Sequence, residues 1–260
     1  MGASVSDEAI KRHKELSIRR IDGLLDSYIV TGDTKHMKKA DLISYWLEEF
    51  SKYISQEESF DPGRLIRYSR GDVIRVNFGF RVGSEFGGLH FAVVVEKGNA
   101  RSSKVVTVVP LSSTDGRTIR PENVDLGQEL YTKAIAQQNV LLLKAQKELG
   151  ETKQMLKLIN SLSETASNSE MANESDYRKL KESIIFKQKN IDKLLKRFSK
   201  NVEEISRMKS GSMAIINQIT TISKQRIYTP KKAEDFLYSV SLSDTALNKI
   251  NEKLKEKYIF

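Results

Sequence analysis

The sequence contains no cysteine, and this absence excludes several kinds of site at once. A disulfide framework, a thiolate zinc site and a cysteine nucleophile all need thiols, so this chain has none of them. Only three histidines occur, His13, His36 and His90, and their scatter along the sequence argues against a histidine-based metal site. We therefore expect neither a bound metal nor another cofactor.

Long apolar runs are also missing. No stretch approaches the roughly 20 apolar residues that span a bilayer, and the N-terminus is too polar for a signal peptide. We therefore expect a protein without a membrane segment that is located in the cytoplasm. Charge is abundant instead: charged residues make up 30% of the 260 residues, and the formal net charge is +9. This balance favours nucleic acid or another anionic surface as the partner, although it also fits a merely soluble basic protein.

Residues 1–67 form an N-terminal segment with a helical pattern. Apolar residues recur at three- and four-residue spacing over residues 9–28 and again over residues 35–53. Thr31-Gly32-Asp33 interrupts the pattern, and Asp61-Pro62-Gly63 is a turn signal that marks a boundary. The sequence therefore predicts two helices, which either cap the next domain or act as a partner-binding or autoinhibitory arm.

The pattern changes to β-strands in residues 68–128. Runs rich in β-branched and apolar residues begin near Arg70 and recur at 91–95, 104–111 and 121–126, with Gly-rich turns between them. Short strands with such connections predict a small barrel or a strongly bent sheet.

Residues 129–209 carry two heptad-like stretches joined by a polar segment, 164–175. Large apolar residues fall seven apart in both stretches: Ile135, Leu142, Leu149 and Leu156 in the first, and Ile184, Ile191, Phe198 and Ile205 in the second. The spacing predicts an antiparallel coiled-coil hairpin. Such a hairpin serves packing or association in one interpretation, and contacts RNA through its lysines in another.

The β pattern returns in residues 210–260. Strands are predicted at 212–219 and 220–227, followed by a helix that starts at Ser243-Asp244 with Ser241 or Ser243 as its N-cap. We expect the strands on both sides of the hairpin to form one sheet, because insertion of a long segment at an exposed loop has a small entropic cost. The predicted fold class is α+β.

Several motifs in these β regions resemble the MazF/PemK toxin family, the endoribonucleases of bacterial toxin–antitoxin systems. The resemblance covers roughly 68–128 and 211–257 and leaves out the N-terminal helices and the hairpin. It is carried by five stretches: Arg70-Gly71-Asp72-Val73, Gly83-Ser84-Glu85-Phe86-Gly87-Gly88, Ala92-Val93-Val94-Val95, Val108-Val109-Pro110-Leu111-Ser112-Ser113, and the run from Ser212 to Ile227 that includes Lys224-Gln225-Arg226.

The resemblance implies a small SH3-like β-barrel with a C-terminal helix, usually present as a homodimer. Members of the family cut single-stranded RNA without metal by attack of the ribose 2′-hydroxyl, which leaves a 2′,3′-cyclic phosphate and a 5′-hydroxyl. A separate antitoxin protein usually inserts an acidic, apolar tail into the RNA groove, which suits a basic toxin electrostatically.

The resemblance also assigns two catalytic positions. The family's arginine after the glycine loop corresponds to His90 here, and the Ser/Thr of its Pro-Leu-Thr-Ser step corresponds to Ser112. The change from arginine to histidine replaces a permanent cation by a group that can transfer a proton. His90 is therefore read as a general base or acid, and Ser112 as a hydrogen-bond donor to the scissile phosphate.

Further residues are predicted to bind RNA on the same grounds. The loop around 80–85 shapes the RNA groove in the family, exposed cations suit phosphate contacts, an aromatic ring can stack on a base, and Asn217 can read a base edge. Glu85 is alternatively a structural residue that holds the loop. The predicted set is Phe80, Arg81, Ser84, Glu85, Arg101, Ser113, Arg117, Asn217, Gln218, Lys224, Gln225 and Arg226.

Two other functions remain open. The departure at His90 is compatible with a non-catalytic relative that binds nucleic acid or a protein through the same groove. In the other reading the hairpin is the interacting part and the barrel is its scaffold.

Overall fold

A computed structural model describes residues 6–116, 118–166, 174–233 and 235–259, with the side chains of 162–166 and 174–177 left out. Within these residues the chain forms helices and antiparallel strands, so the predicted α+β class is confirmed. None of the described helices is long and apolar enough to cross a membrane. The helices are α1 (Asp7–Thr31), α2 (Thr34–Ser55), α3 (Glu129–Ala166), α4 (Glu174–Ser206) and α5 (Asp244–Tyr258). The strands are β1 (Val73–Asn77), β2 (Leu89–Val94), β3 (Val105–Ser113), β4 (Val124–Gly127), β5 (Ser212–Ala214), β6 (Thr220–Ser223) and β7 (Ile227–Thr229).

The chain divides into two units. The first comprises Met1–Phe60 together with Gly79–Gly88, and the second comprises Asp61–Phe78 together with Leu89–Phe260. Thus α1 and α2 share a unit with the loop between β1 and β2, whereas the whole sheet and the other helices belong to the second unit.

Local capping signals define the two helices of the first unit. The predicted interruption at Thr31-Gly32-Asp33 is confirmed: Gly32 ends α1 at a φ of 69°, in the left-handed region that favours glycine. The Asp33 carboxylate then accepts hydrogen bonds from the amides of Lys35 and His36 and so caps α2.

The sheet brings together strands from both sides of the α3–α4 segment. Its order is β4-β5-β3-β2-β1-β7, and β6 pairs with β3 off this path. The prediction that the strands before Gly127 and after Gly211 form one sheet is therefore confirmed. Over the described residues the pairings do not return to their starting strand, so the sheet is not closed.

The returning strands are shorter than predicted. Instead of two continuous strands over 212–219 and 220–227, two 3-10 turns at Ile216–Gln218 and Lys224–Arg226 break the run into three strands. In the second turn the Ser223 hydroxyl accepts a hydrogen bond from the amide of Gln225. A serine side chain that binds the backbone two residues later favours a turn over a continued strand.

Helices α3 and α4 pack on each other along their lengths as an antiparallel pair. Ile205 of α4 lies in the same core cluster as Leu130 and Ala134 of α3, and the Lys187 ammonium is 2.6 Å from the Glu151 carboxylate farther along. The predicted α4 positions Ile184, Ile191 and Ile205 are buried. The predicted α3 seam is wrong in its outer part, because Leu149 and Leu156 are exposed whereas Gln138, Ala145 and Thr152 are buried.

A partly buried polar contact joins the start of α3 to the start of α5. Ser243 is the N-cap of α5, and its amide and hydroxyl both donate hydrogen bonds to the Glu129 carboxylate. Lys133 forms an ion pair with the same carboxylate at 3.1 Å. Burial raises the pKa of Glu129, but these hydrogen bonds and the Lys133 charge outweigh it and hold the pKa below the ordinary value of 4.5.

Candidate functional site

Strand pairing brings the two predicted catalytic residues to the same region of the sheet. In the β2–β3 ladder Val94 lies opposite Val108, Val93 opposite Val109 and Ala92 opposite Pro110, where the ladder ends. His90 lies two residues before Ala92 and pairs with Val76 of β1, whereas Ser112 lies two residues after Pro110 and pairs with Met213 of β5. Both residues therefore lie just beyond the same end of the β2–β3 ladder.

His90 and Ser112 line one pocket with a volume of about 360 Å³. The pocket lies within the second unit, and its walls come from the strands, from the first turn of α3 and from the segment between α4 and β5. It is lined by Arg75, Leu89, His90, Phe91, Leu111, Ser112, Ser113, Leu130, Arg207, Met208, Lys209, Gly211 and Ser212.

The lining combines a proton-transfer group, hydroxyls and permanent cations. His90, Ser112 and Ser113 are half-buried at the wall, and the buried hydroxyl of Ser212 has no hydrogen-bond partner in the described part of the chain. Arginine and lysine supply three positive charges, and the described lining contains no aspartate or glutamate. A pocket with this chemistry suits an anion such as a phosphodiester, and His90 adds an imidazole, a group that can transfer a proton.

Arg75 is a member of the pocket that the sequence did not suggest. Its guanidinium forms an ion pair with Glu204 of α4, and both side chains are largely buried, with 23% and 16% exposed. The same guanidinium lies 5.7 Å from the centre of the Phe91 ring and 5.6 Å from that of Tyr228. These contacts fix the end of α4 against β1.

Arg207 and Lys209 were also missed. They follow directly after α4 and reach the pocket because β5, which begins at Ser212, pairs with the end of β3 where Ser112 lies. A basic pair just before a returning strand is only a weak signal in the sequence. The strand pairing turns it into a feature of the site.

The loop Gly79–Gly88 carries four of the predicted RNA-binding residues: Phe80, Arg81, Ser84 and Glu85. The structure groups this loop with α1 and α2. The indole of Trp46 in α2 lies against Gly79, so a Cβ added there would be 2.6 Å from the ring. The Gly88 amide donates a hydrogen bond of 2.8 Å to the Gly79 carbonyl and closes the loop. The roles of the four side chains in RNA binding stay predictions.

Two predicted phosphate ligands, Lys224 and Arg101, donate hydrogen bonds to backbone carbonyl groups. The Lys224 side chain is 1% exposed, its ammonium donates to the Ala100 carbonyl at 3.0 Å, and it lies 5.8 Å from the centre of the Tyr68 ring. Burial lowers the pKa of Lys224, against the opposing effect of the Glu96 charge. This geometry does not support a phosphate contact for Lys224. Arg101 donates from Nε to the Leu65 carbonyl at 3.1 Å, which ties two loops together.

Four other predicted residues lie in the two 3-10 turns and are not part of the pocket lining. Asn217 is exposed and Gln218 half-buried in the first turn. Gln225 and Arg226 are half-buried in the second, where the Arg226 Nε donates to the Asn77 carbonyl at 2.8 Å. Arg117 lies outside the described residues.

Across the ranges that the structure describes, no group of three or more histidine, aspartate and glutamate side chains is arranged to hold a metal ion.

Comparison with known proteins gives a family match: the model for the PemK-like, MazF-like toxin of type II toxin–antitoxin systems matches residues 69–169. The match spans β1 to β4 and the whole of α3, and no curated protein matches the chain.

Proposed function

Because the model for the PemK-like, MazF-like toxin family matches residues 69–169, we propose that this protein is a toxin-type endoribonuclease that cleaves single-stranded RNA. Members of this family are generally endoribonucleases. The observation that supports the proposal most is the pocket itself, in which His90 and Ser112 lie together with permanent cations.

The proposed reaction is an internal transesterification. The ribose 2′-oxygen attacks the adjacent phosphorus while its proton passes to a base, and the bond from phosphorus to the 5′-oxygen breaks as that oxygen gains a proton. The products are a 2′,3′-cyclic phosphate and a 5′-hydroxyl. Because the nucleophile belongs to the substrate, the reaction needs proton transfer and charge stabilisation but no metal-activated water.

We assign the proton transfer to His90 and a hydrogen bond to the scissile phosphate to Ser112. An imidazole can take up the 2′-proton or supply a proton to the leaving 5′-oxygen. A serine hydroxyl donates a hydrogen bond to a phosphate oxygen. Ser113 and Ser212 line the same wall as further hydroxyl groups, although the Ser212 hydroxyl itself is buried.

The proposal extends to fold details and partners. We propose that the open sheet with α5 has the strand arrangement of an SH3-like barrel, that α3 and α4 form a coiled coil, and that two copies associate as a homodimer. We further propose that a protein antitoxin controls the growth-inhibitory activity in the cytoplasm, by covering the basic pocket with an acidic segment.

The test is cleavage of a single-stranded RNA pool by the purified full chain in the presence of EDTA. We expect cleavage by the wild type and a loss of at least about 100-fold in rate for His90→Ala and for Ser112→Ala, the range for removing a general acid–base group or a charge-stabilising donor. His13→Ala and Ser102→Ala are matched controls, since both residues are exposed and lie outside the pocket lining. RNA binding without cleavage by the wild type would favour a non-catalytic binding module instead.

A further inference from the structure

The segment directly after α4 forms part of the wall of the pocket that His90 and Ser112 also line. Arg207, Met208 and Lys209 follow the last helical residue and line the same pocket as the two predicted catalytic side chains. The inserted helical pair is therefore continuous with the site. Its last residues contribute two of the pocket's permanent cations.

The position of this segment is fixed by packing on both sides. Ile205 is buried in the main core, Met208 packs against the same core, and the Met208 amide donates to the Ile205 carbonyl at 2.9 Å. Beyond the cations, Gly211 approaches Thr114 so closely that an added Cβ would be 2.2 Å from its Oγ1. The two basic side chains thus project from a backbone that is held in place before and after them.

The three cations of the pocket differ in how firmly they are engaged. Arg75 is largely buried and paired with Glu204, so its charge is committed to the fold. Arg207 pairs with Glu203 of α4, but these side chains are 68% and 62% exposed. Lys209 lies 3.5 Å from Asp115, in a pair that is also mostly exposed. Exposed pairs contribute only about 0.2–1 kcal/mol, so a phosphate group can replace either carboxylate as the partner.

A phosphodiester in this pocket needs a permanent positive charge, because negative charge grows on the non-bridging oxygens in the transition state. Histidine is not a permanent cation, and Ser112 is neutral. Arg207 and Lys209 are the accessible permanent cations of the lining. The planar guanidinium of Arg207 also suits bidentate contact with phosphate oxygens.

We propose that Arg207 and Lys209 bind the phosphate backbone of single-stranded RNA at the His90–Ser112 pocket, so that the inserted helical pair completes the RNA-binding site. The choice of RNA as the ligand rests on the function proposed above. The inference adds the residues that hold its phosphates and gives the inserted helices a part in substrate binding.

The test measures binding and cleavage separately. Binding is followed by fluorescence anisotropy of a randomised, fluorescein-labelled RNA pool with 2′-O-methyl ribose at every position, which cannot undergo 2′-attack. Arg207→Ala and Lys209→Ala are each expected to weaken binding about tenfold. The double variant is expected to reduce the slope of log affinity against log salt by about 1.4, or about 0.7 for each phosphate that is no longer neutralised.

Two further variants separate a phosphate contact from a structural effect. Arg178→Ala is the matched control, because Arg178 lies on the same helix, is 82% exposed and is paired with Glu182 four residues away. It lies about 40 Å along the helix axis from Arg207 and should leave binding unchanged. Glu203→Gln should strengthen binding about twofold, because it frees Arg207 from its competing carboxylate.

The cleavage readout keeps this inference distinct from the proposed function. Wild-type cleavage with unchanged RNA affinity, salt slope and kcat/KM in the Arg207→Ala, Lys209→Ala double variant would overturn the inference and leave the nuclease intact. RNA binding that depends on both residues, without cleavage by the wild type, would support the inference and contradict the nuclease. A wild type that neither binds nor cleaves RNA would overturn both.

Discussion

The ion pair between Arg75 and Glu204 should stabilise the protein far more than a surface pair does, because it joins β1 to α4 in a largely buried setting. Exposed pairs contribute about 0.2–1 kcal/mol, and breaking a fully buried pair costs about 3–5 kcal/mol. With about one fifth of each side chain exposed, we expect a coupling energy of about 2 kcal/mol. Arg75→Ala also removes two aromatic contacts of about 0.5 kcal/mol each, which brings its total cost to about 3 kcal/mol.

A double-mutant cycle of Arg75→Ala and Glu204→Ala isolates the coupling energy. Unfolding in urea should be followed by far-UV circular dichroism, because the only tryptophan, Trp46, lies in the other unit and does not report on the sheet. The pair Arg207–Glu203 provides the comparison, since its exposed side chains predict a coupling of at most about 0.5 kcal/mol. Equal coupling energies for the two pairs would refute the claim that Arg75 fixes the end of α4.

Two other substitutions test the loop and the α3–α5 contact. Gly79→Ala should destabilise the N-terminal unit by at least about 2 kcal/mol and shift the fluorescence emission of Trp46, because the new Cβ meets the indole at 2.6 Å and φ is +75°. Gly83→Ala is the control: its φ is +61° but the space around it is open, so it should cost only the backbone part of about 1 kcal/mol. Equal effects of the two substitutions would contradict the indole contact. Glu129 has a lowered pKa in the folded state, so it stabilises the protein above its ordinary pKa of 4.5 and this stabilisation is lost as the pH falls through the lower folded value. Glu129→Gln should therefore lower the free energy of unfolding at neutral pH and make this free energy depend less on pH below about 4.5, as measured by urea titrations. An unchanged pH profile would contradict the stabilising role of the Glu129 carboxylate.

The parts of the fold that follow from local signals could be predicted from the sequence. Gly32 ends α1, Asp33 caps the start of α2 and Ser243 caps the start of α5. Each of these residues acts only on its neighbours in the sequence. The two 3-10 turns were missed because isoleucine and threonine near Ile216 favour strands by propensity. Turn hydrogen bonding overrode that propensity at Ser223.

The face of α3 that packs against α4 shows a second limit of prediction from the sequence. Large leucines at a seven-residue spacing predicted the contact face, but the face toward α4 uses smaller and polar residues such as Ala145 and Thr152. Leu149 and Leu156 form a different stripe with the same period. Spacing identifies a periodic helix, whereas the choice between two stripes depends on which one the partner helix meets.

The residues of the candidate site also fall into two groups, those that local motifs identify and those that only the fold brings together. His90 and Ser112 were identified through motifs that surround each of them. Arg75 and Glu204, in contrast, are 129 residues apart, and no local pattern links them. Arg207 and Lys209 became part of the site only through the pairing of β5 with β3. Lys224 looked accessible by composition, but its ammonium is committed to the Ala100 carbonyl.

The central claim is that RNA is cut by its own 2′-hydroxyl in the pocket of His90 and Ser112. The most direct measurement is the chemistry of the RNA ends, determined by mass spectrometry after cleavage of a single-stranded RNA in EDTA. We predict a 2′,3′-cyclic phosphate on one fragment and a 5′-hydroxyl on the other, and no cut at a position where the ribose is replaced by deoxyribose. Fragments with a 5′-phosphate, or cleavage that persists at the deoxyribose position, would contradict the account.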